Sequence, residues 1–315
     1  MRALPVFCVT AIALSCGVAH VAHAQPTRID SVRTPPTSSL TDFWSEQRLW
    51  EATEEPVPVV DPSTVGAAEQ EPSPGQRKMS ANSAGRSSSL ARASGNVTTR
   101  PLYWAGKFFF AKTEGVRVCS AQFIAPGVLI TAAHCVRDDT NGTWYANFLY
   151  KHQYNRGRSA RDFSTECFAT YNGWVSRENT KWQWDYAMLK LRGGDDVGHF
   201  GTHTNWWGAY QNAPKVGYPG AIENGQVIQV DFGNLFKGRS QNVIGLGHGN
   251  QRNAEGSSGG AWVGNYETTG NNPRSNVIIS VTSHHLGDDR GTSYGPYLDQ
   301  RAEQLLNHVK GGCRR

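Results

Sequence analysis

The stretch AEGSSGGAW, residues 254–262, places Ser257 and Ser258 in a cluster of small residues. A serine hydroxyl acts as a nucleophile when a base accepts its proton, another group orients that base, and N–H donors stabilise the oxyanion. If Ser258 is the nucleophile, its N–H and that of Gly256 can point into one small hollow, because glycine permits the required turn. Glycine beside serine is also typical of ordinary loops, so the rest of the chain must decide.

A candidate base and a candidate orienting acid precede this stretch. His134 lies in TAAHC, residues 131–135, where a strand-like run gives way to a turn. Asp185 stands between two aromatic residues at the start of the alternating run DYAMLKL, and a carboxylate desolvated there needs a partner such as the histidine. Taken alone, the first is more often a structural histidine and the second a solvated turn aspartate.

Short apolar runs separated by Gly, Asn and Pro begin at about residue 99. GVRVCSAQFIAPGVLITAAHCV predicts two strands joined at Pro126-Gly127, and DYAMLKL, GQVIQVDF, GAWVG and NVIISVTS predict further strands. One long helix is predicted over about residues 297–310. Its apolar face contains Leu298, Leu305, Leu306 and Val309. Many short strands followed by one helix predict an all-β antiparallel barrel protein.

The N-terminal part of the chain has a different composition. Residues 1–24 combine a basic start, an apolar run and a small-residue pattern, which predicts a signal peptide cut after Ala24; a retained anchor or a lipoprotein signal at Cys16 are the alternatives. Residues 25–98 are interpreted as a largely unstructured propeptide or low-complexity linker. SLTDFWSEQRLW could form one amphipathic helix within it, capped by Thr41 or Asp42. We therefore expect a secreted or periplasmic protein with its folded domain at residues 99–315.

Cysteine usage fits an oxidising compartment. Six cysteines are present, of which four lie beyond the predicted signal peptide. Cys119 could pair with Cys135 and close a hairpin under His134, and Cys167 could pair with Cys313, although sequence alone does not choose among the three connectivities. Clustered His/Cys spacing of the zinc-site kind is absent, so no metal or other cofactor is predicted.

The three motifs TAAHC, DYAMLKL and GSSGG, in that order, resemble the trypsin-like serine peptidase superfamily over residues 99–309. The resemblance implies two packed six-stranded antiparallel β-barrels with the active site between them. It makes His134 the general base, Asp185 its orienting group and Ser258 the nucleophile, with the N–H groups of Gly256 and Ser258 as the oxyanion hole. KVGYPG, residues 215–220, is similar to the bacterial branch that contains the glutamyl endopeptidases.

Two departures from the family pattern bear on activation and specificity. Ser257 replaces the aspartate that pairs with a new N-terminal ammonium in digestive members, so that activation switch is not expected here. The strand IISVTSHH sets Ser283, His284 and His285 where relatives often carry Ser-Trp-Gly, and Arg252 is placed near the base of the primary pocket. Donor or cationic groups there would favour an acidic P1 side chain. A rim arginine and packed histidines are the simpler interpretation.

These features predict a secreted serine endopeptidase acting on polypeptides through an acyl-enzyme intermediate. The alternative is a peptidase-like binding or adhesion protein without catalytic activity. The formal net charge of +5 is spread over 31 basic and 26 acidic residues, so nucleic acid is not an expected partner. We expect a monomer that does not associate with membranes after signal removal.

Overall fold

The computed structural model describes residues 27–35, 40–65, 92–252, 255–269, 272 and 274–314. The strands are β1 (Ile29–Arg33), β2 (Thr53–Glu54), β3 (Val59–Val60), β4 (Arg92–Ser94), β5 (Ala105–Lys112), β6 (Gly115–Ala125), β7 (Val128–Thr131), β8 (Ala146–His152), β9 (Arg161–Tyr171), β10 (Ala187–Leu191), β11 (Gly201–Thr202), β12 (Asn212–Gly217), β13 (Gln229–Lys237), β14 (Val243–Gly247), β15 (Ala261–Gly264), β16 (Val277–Val281), β17 (His284–Leu286) and β18 (Asp289–Pro296). The α-helices are α1 (Leu40–Phe43), α2 (Glu46–Glu51) and α3 (Gln300–Lys310). The predicted signal peptide lies outside the described residues.

Strands β5 to β10 form a closed antiparallel barrel. Their order is β9-β10-β7-β6-β5-β8, and β8 pairs back with β9 to close the ring. The turn between β6 and β7 lies at the predicted Pro126-Gly127, where Gly127 has a φ of 62° that favours glycine. Phe108, Phe123 and Tyr150 are fully buried inside, because alternate residues of each strand face the barrel interior.

The second half of the chain forms a ten-stranded sheet. It runs β11-β16-β15-β12-β13-β14-β18-β17-β3, with β4 paired to β13. The segment after β16 returns to β18, since the N–H of Ser283 donates to the carbonyl of Tyr294 at 2.9 Å. The loop that contains Ser258 lies between β14 and β15 and contacts the first barrel, where the N–H of Ser120 donates to the carbonyl of Ser258 at 2.8 Å. The predicted all-β architecture is confirmed.

The predicted C-terminal helix is confirmed as α3, which begins three residues later than predicted. The carboxylate of Asp299 caps it by accepting from the N–H of Arg301 at 2.9 Å. Ala302, Leu305 and Val309 are fully buried. The chain after α3 is tied to β9 by the Cys167–Cys313 disulfide. Among the described residues, no helix is long and apolar enough to cross a membrane.

The segment before residue 99 differs from the prediction, because its described parts are ordered and paired with the two sheets. β1 pairs with β9, β2 with β6, β3 with β17 and β4 with β13. An edge strand offers unpaired N–H and C=O groups that an extended segment can pair with whatever its hydrophobic periodicity, and composition does not reveal this. Trp44 adds a buried anchor whose indole N–H donates to the carbonyl of Asn147 at 2.7 Å.

The single helix predicted over residues 39–50 is also wrong. The structure has two short helices, α1 and α2, which flank Trp44 and Ser45. Ser45 caps α2, its hydroxyl accepting from the N–H of Arg48 at 3.2 Å. Neither Thr41 nor Asp42 is the cap, because the chain turns at Trp44 to bury its ring and a new helix starts after it.

Candidate active site

His134 lies on a short 3₁₀-helix, Ala133–Cys135, that follows β7. The predicted disulfide Cys119–Cys135 is present and joins this helix to β6. The two sulphur atoms lie within 4.8 Å of a ring nitrogen of His134, but a disulfide offers no thiolate ligands for a metal. The disulfide therefore holds the backbone of His134 beside β6.

Asp185 is fully buried and accepts three hydrogen bonds. Its Oδ1 accepts from the N–H of His134 at 2.9 Å, and its Oδ2 accepts from Nδ1 of His134 at 2.8 Å. The hydroxyl of Ser283 also donates to Oδ2, at 2.5 Å. Burial alone would raise the pKa of Asp185, but His134 and these hydrogen bonds lower it overall, so the carboxylate is charged. An ionised acceptor at Nδ1 leaves the lone pair of the neutral ring on Nε2, the tautomer that a general base requires.

Two buried polar atoms complete the arrangement. Oγ of Ser258 and Nε2 of His134 are both buried, and neither has a hydrogen-bond partner within the described part of the chain. Buried polar atoms are normally paired, so these two atoms are exceptions, and they do not hydrogen-bond each other in this structure. The loop of Ser258 lies directly on the start of the histidine helix, because a Cβ on Gly259 would come 2.7 Å from the N atom of Ala132.

The backbone of the Ser258 loop is held by the first barrel. The hydroxyl of Ser120 donates to the carbonyl of Gly256 at 2.9 Å, and its N–H donates to the carbonyl of Ser258 at 2.8 Å. Gly256 has a φ of 82°, a conformation that favours glycine. Ser120 was not predicted from the sequence. The sign of it there is a polar residue in the middle of a predicted strand, and the structure buries this residue almost completely.

The carbonyls that precede Gly256 and Ser258 in the chain are both hydrogen-bonded. The carbonyl of Glu255 accepts from the N–H of Gly220 at 2.8 Å, and that of Ser257 accepts from the N–H of Gly260 at 2.9 Å. In a planar trans peptide the N–H points opposite to the carbonyl. The N–H groups of Gly256 and Ser258 therefore point away from the N–H groups of Gly220 and Gly260, which bind the two carbonyls.

Comparison with known proteins agrees with this geometry. The family model described as Trypsin matches residues 95–300, more than half of the chain. The chain belongs to the trypsin family. This trypsin-family protein is a serine endopeptidase, and polypeptides are its substrates. No curated protein sequence matches it significantly.

Solved structures share the trypsin-family fold. Protease Anisep from Arthrobacter nicotinovorans aligns with a TM-score of 0.57 and 24% identity, covering 70% of this chain and 100% of that one. The thermostable serine protease AL20 from an extremophilic microorganism aligns with a TM-score of 0.57 and 24% identity over 68% and 98%. A Glu endopeptidase aligns with a TM-score of 0.56 and 17% identity over 70% and 96%.

The four predicted pocket residues have different partners, although the hydroxyl of Ser283 lies 2.9 Å from Nδ1 of His284. Arg252 is exposed, and its guanidinium donates to the carbonyl of Ala221, so it is a surface residue of its loop. Ser283 hydrogen-bonds Asp185 and therefore belongs with the candidate triad. Arg252 contacts Ala221 because the loop before Ser258 does not direct its side chain inward.

The two histidines of β17 lie on opposite faces of that strand. The ring of His284 packs 4.5 Å from Trp182 and stacks 5.4 Å from Tyr294 between centroids. Burial lowers the pKa of His284 to about 3, so it is a neutral packing residue. Nδ1 of His285 donates to the carbonyl of Thr292 at 2.7 Å, while its Nε2 is buried without a hydrogen-bond partner among the described residues. Of the four predicted residues, His285 alone has a side-chain polar atom that is buried without a hydrogen-bond partner among the described residues.

A buried basic cluster lies behind His285. Nζ of Lys215 donates to the hydroxyl of Ser293 at 2.8 Å, and Nε2 of His248 lies 3.0 Å from the same hydroxyl. Burial lowers the pKa of Lys215 to about 7, although Asp231 opposes this. The charge of Lys215 also contributes to the lowered pKa of His285, after burial itself, which shows that the two groups are close.

Proposed function

We propose that this trypsin-family enzyme is secreted and cleaves peptide bonds through Ser258, His134 and Asp185. The observation that carries the proposal is the buried His134–Asp185 pair beside the Ser258 loop, in which Nε2 and Oγ are the unpaired atoms. His134 would take the proton of Ser258 as Oγ attacks the scissile carbonyl, and later return it to the leaving amine.

The oxyanion of the tetrahedral intermediate would accept from the N–H groups of Gly256 and Ser258. The support is the direction of the neighbouring carbonyls, which are hydrogen-bonded on the opposite side of each peptide. Such donors stabilise the developing charge without reorganising, because the Ser120 contacts already hold the loop.

We further propose that the enzyme prefers an acidic P1 residue, with His285 as the group that recognises it. Because Nδ1 of His285 donates to a backbone carbonyl, its Nε2 carries a lone pair when the ring is neutral. A P1 carboxylate at that nitrogen would stabilise the protonated ring by charge pairing. Lys215 would add positive charge in the same region, although the Asp231 carboxylate opposes it; His248 is neutral, because burial lowers its pKa to about 2.

The test is to express the full chain, purify the protein from the culture medium and sequence its N-terminus. Labelling with a fluorophosphonate and peptide mapping are expected to find the adduct on Ser258. Failure of the secreted, correctly folded protein to react would favour the non-catalytic binding protein, unless the segment before residue 99 still blocks the cleft. Retention of the protein inside the cells would contradict secretion.

Profiling with a peptide library tests the P1 preference separately. Cleavage after Glu or Asp is expected to dominate, and His285→Leu is expected to lower kcat/KM for Glu substrates by about tenfold or more while sparing neutral P1 residues. Strong cleavage after Arg or Phe with none after Glu would refute the acidic preference and leave the triad unaffected.

The pH dependence of hydrolysis provides a check on His134. Burial alone lowers the pKa of this imidazole, but the carboxylate of Asp185 outweighs burial and raises the pKa above the ordinary value of 6.5. Only the neutral ring accepts a proton, so kcat/KM rises with pH as His134 loses its proton. We expect the midpoint of this acid limb above pH 6.5 with a neutral-P1 ester substrate. A midpoint well below pH 6.5, with the protein still folded by circular dichroism, would contradict the assignment.

A further inference from the structure

Residues 53–60, TEEPVPVV, form a segment that we call the strap. It lies in the region predicted to be unstructured and includes β2 and β3. At its first end β2 pairs in parallel with β6, and the N–H of Glu55 donates to the carbonyl of Val118 at 2.9 Å. Val118 immediately precedes Cys119, whose disulfide partner follows His134. The strap therefore starts beside the histidine.

Two glutamates of the strap contact different parts of the protein, Glu54 the Ser258 loop and Glu55 the first barrel. A Cβ on Gly256 would come 2.7 Å from Cγ of Glu54, so the Glu54 side chain packs on the glycine assigned to the oxyanion hole. The carboxylate of Glu55 forms an ion pair with Nζ of Lys112 at 2.8 Å. It also lies 3.7 Å from Nε of Arg117, so it is held on β5 and β6 of the first barrel.

The other end of the strap pairs with β17. The N–H of His285 donates to the carbonyl of Pro58 at 3.0 Å, and the N–H of Gly287 donates to the carbonyl of Val60 at 2.8 Å. Val60 is 4% exposed and belongs to the main apolar cluster, whereas its neighbour Val59 is 62% exposed. Both ends are thus anchored, one on each barrel.

The middle of the strap has to pass between these anchors. Pro56 and Val57 connect Glu55, held at the histidine side, to Pro58, held at His285. Val57 is 5% exposed, and Ser258 is fully buried. The strap pairs with β6, packs Glu54 on Gly256 beside Ser258 and pairs with β17, so it crosses the face on which the proposed site lies.

The direction of the strap is opposite to that of a productive substrate. β17 begins beside Asp185, where Ser283 is bound, and leaves the site toward Leu286. A substrate whose acyl side pairs with this strand approaches Ser258 from the far end of the strand, and so must run antiparallel to it. The strap instead runs parallel to β17. Its peptide groups therefore face the nucleophile with reversed polarity, and its prolines, which lack an N–H, favour an extended course.

We propose that the strap is an autoinhibitory element, threaded backwards through the cleft, that blocks Ser258 without being cleaved by it. The proposal rests on the proposed function of Ser258. Activation then requires that the strap leave the cleft. Proteolytic cleavage elsewhere in the chain does not activate the enzyme while the strap remains paired with β6 and β17.

Val60→Asp and Val59→Asp, each made in the full chain, form a matched pair that tests the strap. Aspartate at position 60 places a carboxylate in the apolar cluster and should release the strap from β17, whereas position 59 already faces solvent. We expect the Val60 variant to react with a fluorophosphonate at Ser258 about tenfold or more faster than the parent and the Val59 variant. Val57→Asp is a second strap variant, since Val57 is buried but lies outside the cluster.

The outcomes separate the strap from the catalytic assignment. Equal, Ser258-dependent labelling of the parent, the Val59 variant and the strap variants would overturn autoinhibition and leave the peptidase intact. If folded strap variants show rapid hydrogen exchange at the N–H groups of His285 and Gly287 yet label no serine, the catalytic assignment fails and autoinhibition falls with it. Synthetic TEEPVPVV added to the Val60 variant should restore inhibition and stay intact; its cleavage would refute the reversed direction.

Discussion

Replacing Ser258 by alanine is expected to abolish peptide hydrolysis, lowering kcat by about 10⁶-fold, while the fold is retained. The variant lacks the nucleophile, so the acyl-enzyme intermediate cannot form. Its hydroxyl has no hydrogen-bond partner among the described residues, so removing it deprives no other buried group of a partner. Hydrolysis of a chromogenic peptide and the thermal unfolding midpoint measure the two parts of this prediction.

Ser257→Ala is the matched control, because it makes the same change one residue earlier in the same buried loop. It is expected to keep activity within about tenfold of the parent, since loss of a positioning contact lowers kcat far less than loss of the nucleophile. Loss of activity in the Ser257 variant with retention in the Ser258 variant would reverse the assignment of the two serines.

Asp185→Asn is expected to lower kcat by about 10⁴-fold. The carboxylate accepts from Nδ1 of His134, whereas an amide can present its NH₂ group there and place the ring proton on Nε2. The ring would then have no lone pair directed at Ser258. The loss should appear in kcat measured with a peptide substrate at a pH well above the acid limb.

Asp162→Asn is the control for a carboxylate-to-amide change. Asp162 is half-exposed and pairs with Lys151 at 2.7 Å on the strand surface, remote in sequence from all three triad residues. It is expected to leave kcat unchanged within a factor of about two, because surface ion pairs contribute little. If both variants lost activity equally, or if the Asp185 variant simply unfolded, the loss would not come from the tautomer of His134.

The local motifs were sufficient to predict the strands that present the candidate triad. TAAHC follows β7, DYAMLKL contains β10, and GSSGG precedes β15, so each chemically important residue lies beside a strand that period-2 alternation already indicated. The even cysteine count predicted disulfides, and the structure selects Cys119–Cys135 and Cys167–Cys313 from the three connectivities. Local sequence predicts strands and turns because alternation and turn residues act within a few residues of their position.

The pocket and the N-terminal segment could not be predicted in this way. Arg252 was placed by its spacing from Ser258, but the direction of a loop side chain depends on contacts made elsewhere, here with the carbonyl of Ala221. Ser283 was assigned to the pocket, yet its hydroxyl points to Asp185, 98 positions away in the chain. The strap has no hydrophobic periodicity to detect. Its ordered structure comes from backbone pairing with the edges of β6 and β17, which exist only in the folded protein.

The sequence by itself predicted the candidate triad, its order along the chain and the strands around it. Only the tertiary structure decided which polar atoms remain unpaired, how His284 and His285 are packed and where residues 53–60 pair. The physical reason is that nucleophile reactivity, pKa and access depend on desolvation and on hydrogen bonds between distant segments, such as that between His134 and Asp185, 51 positions apart. Those contacts exist only once both sheets are assembled.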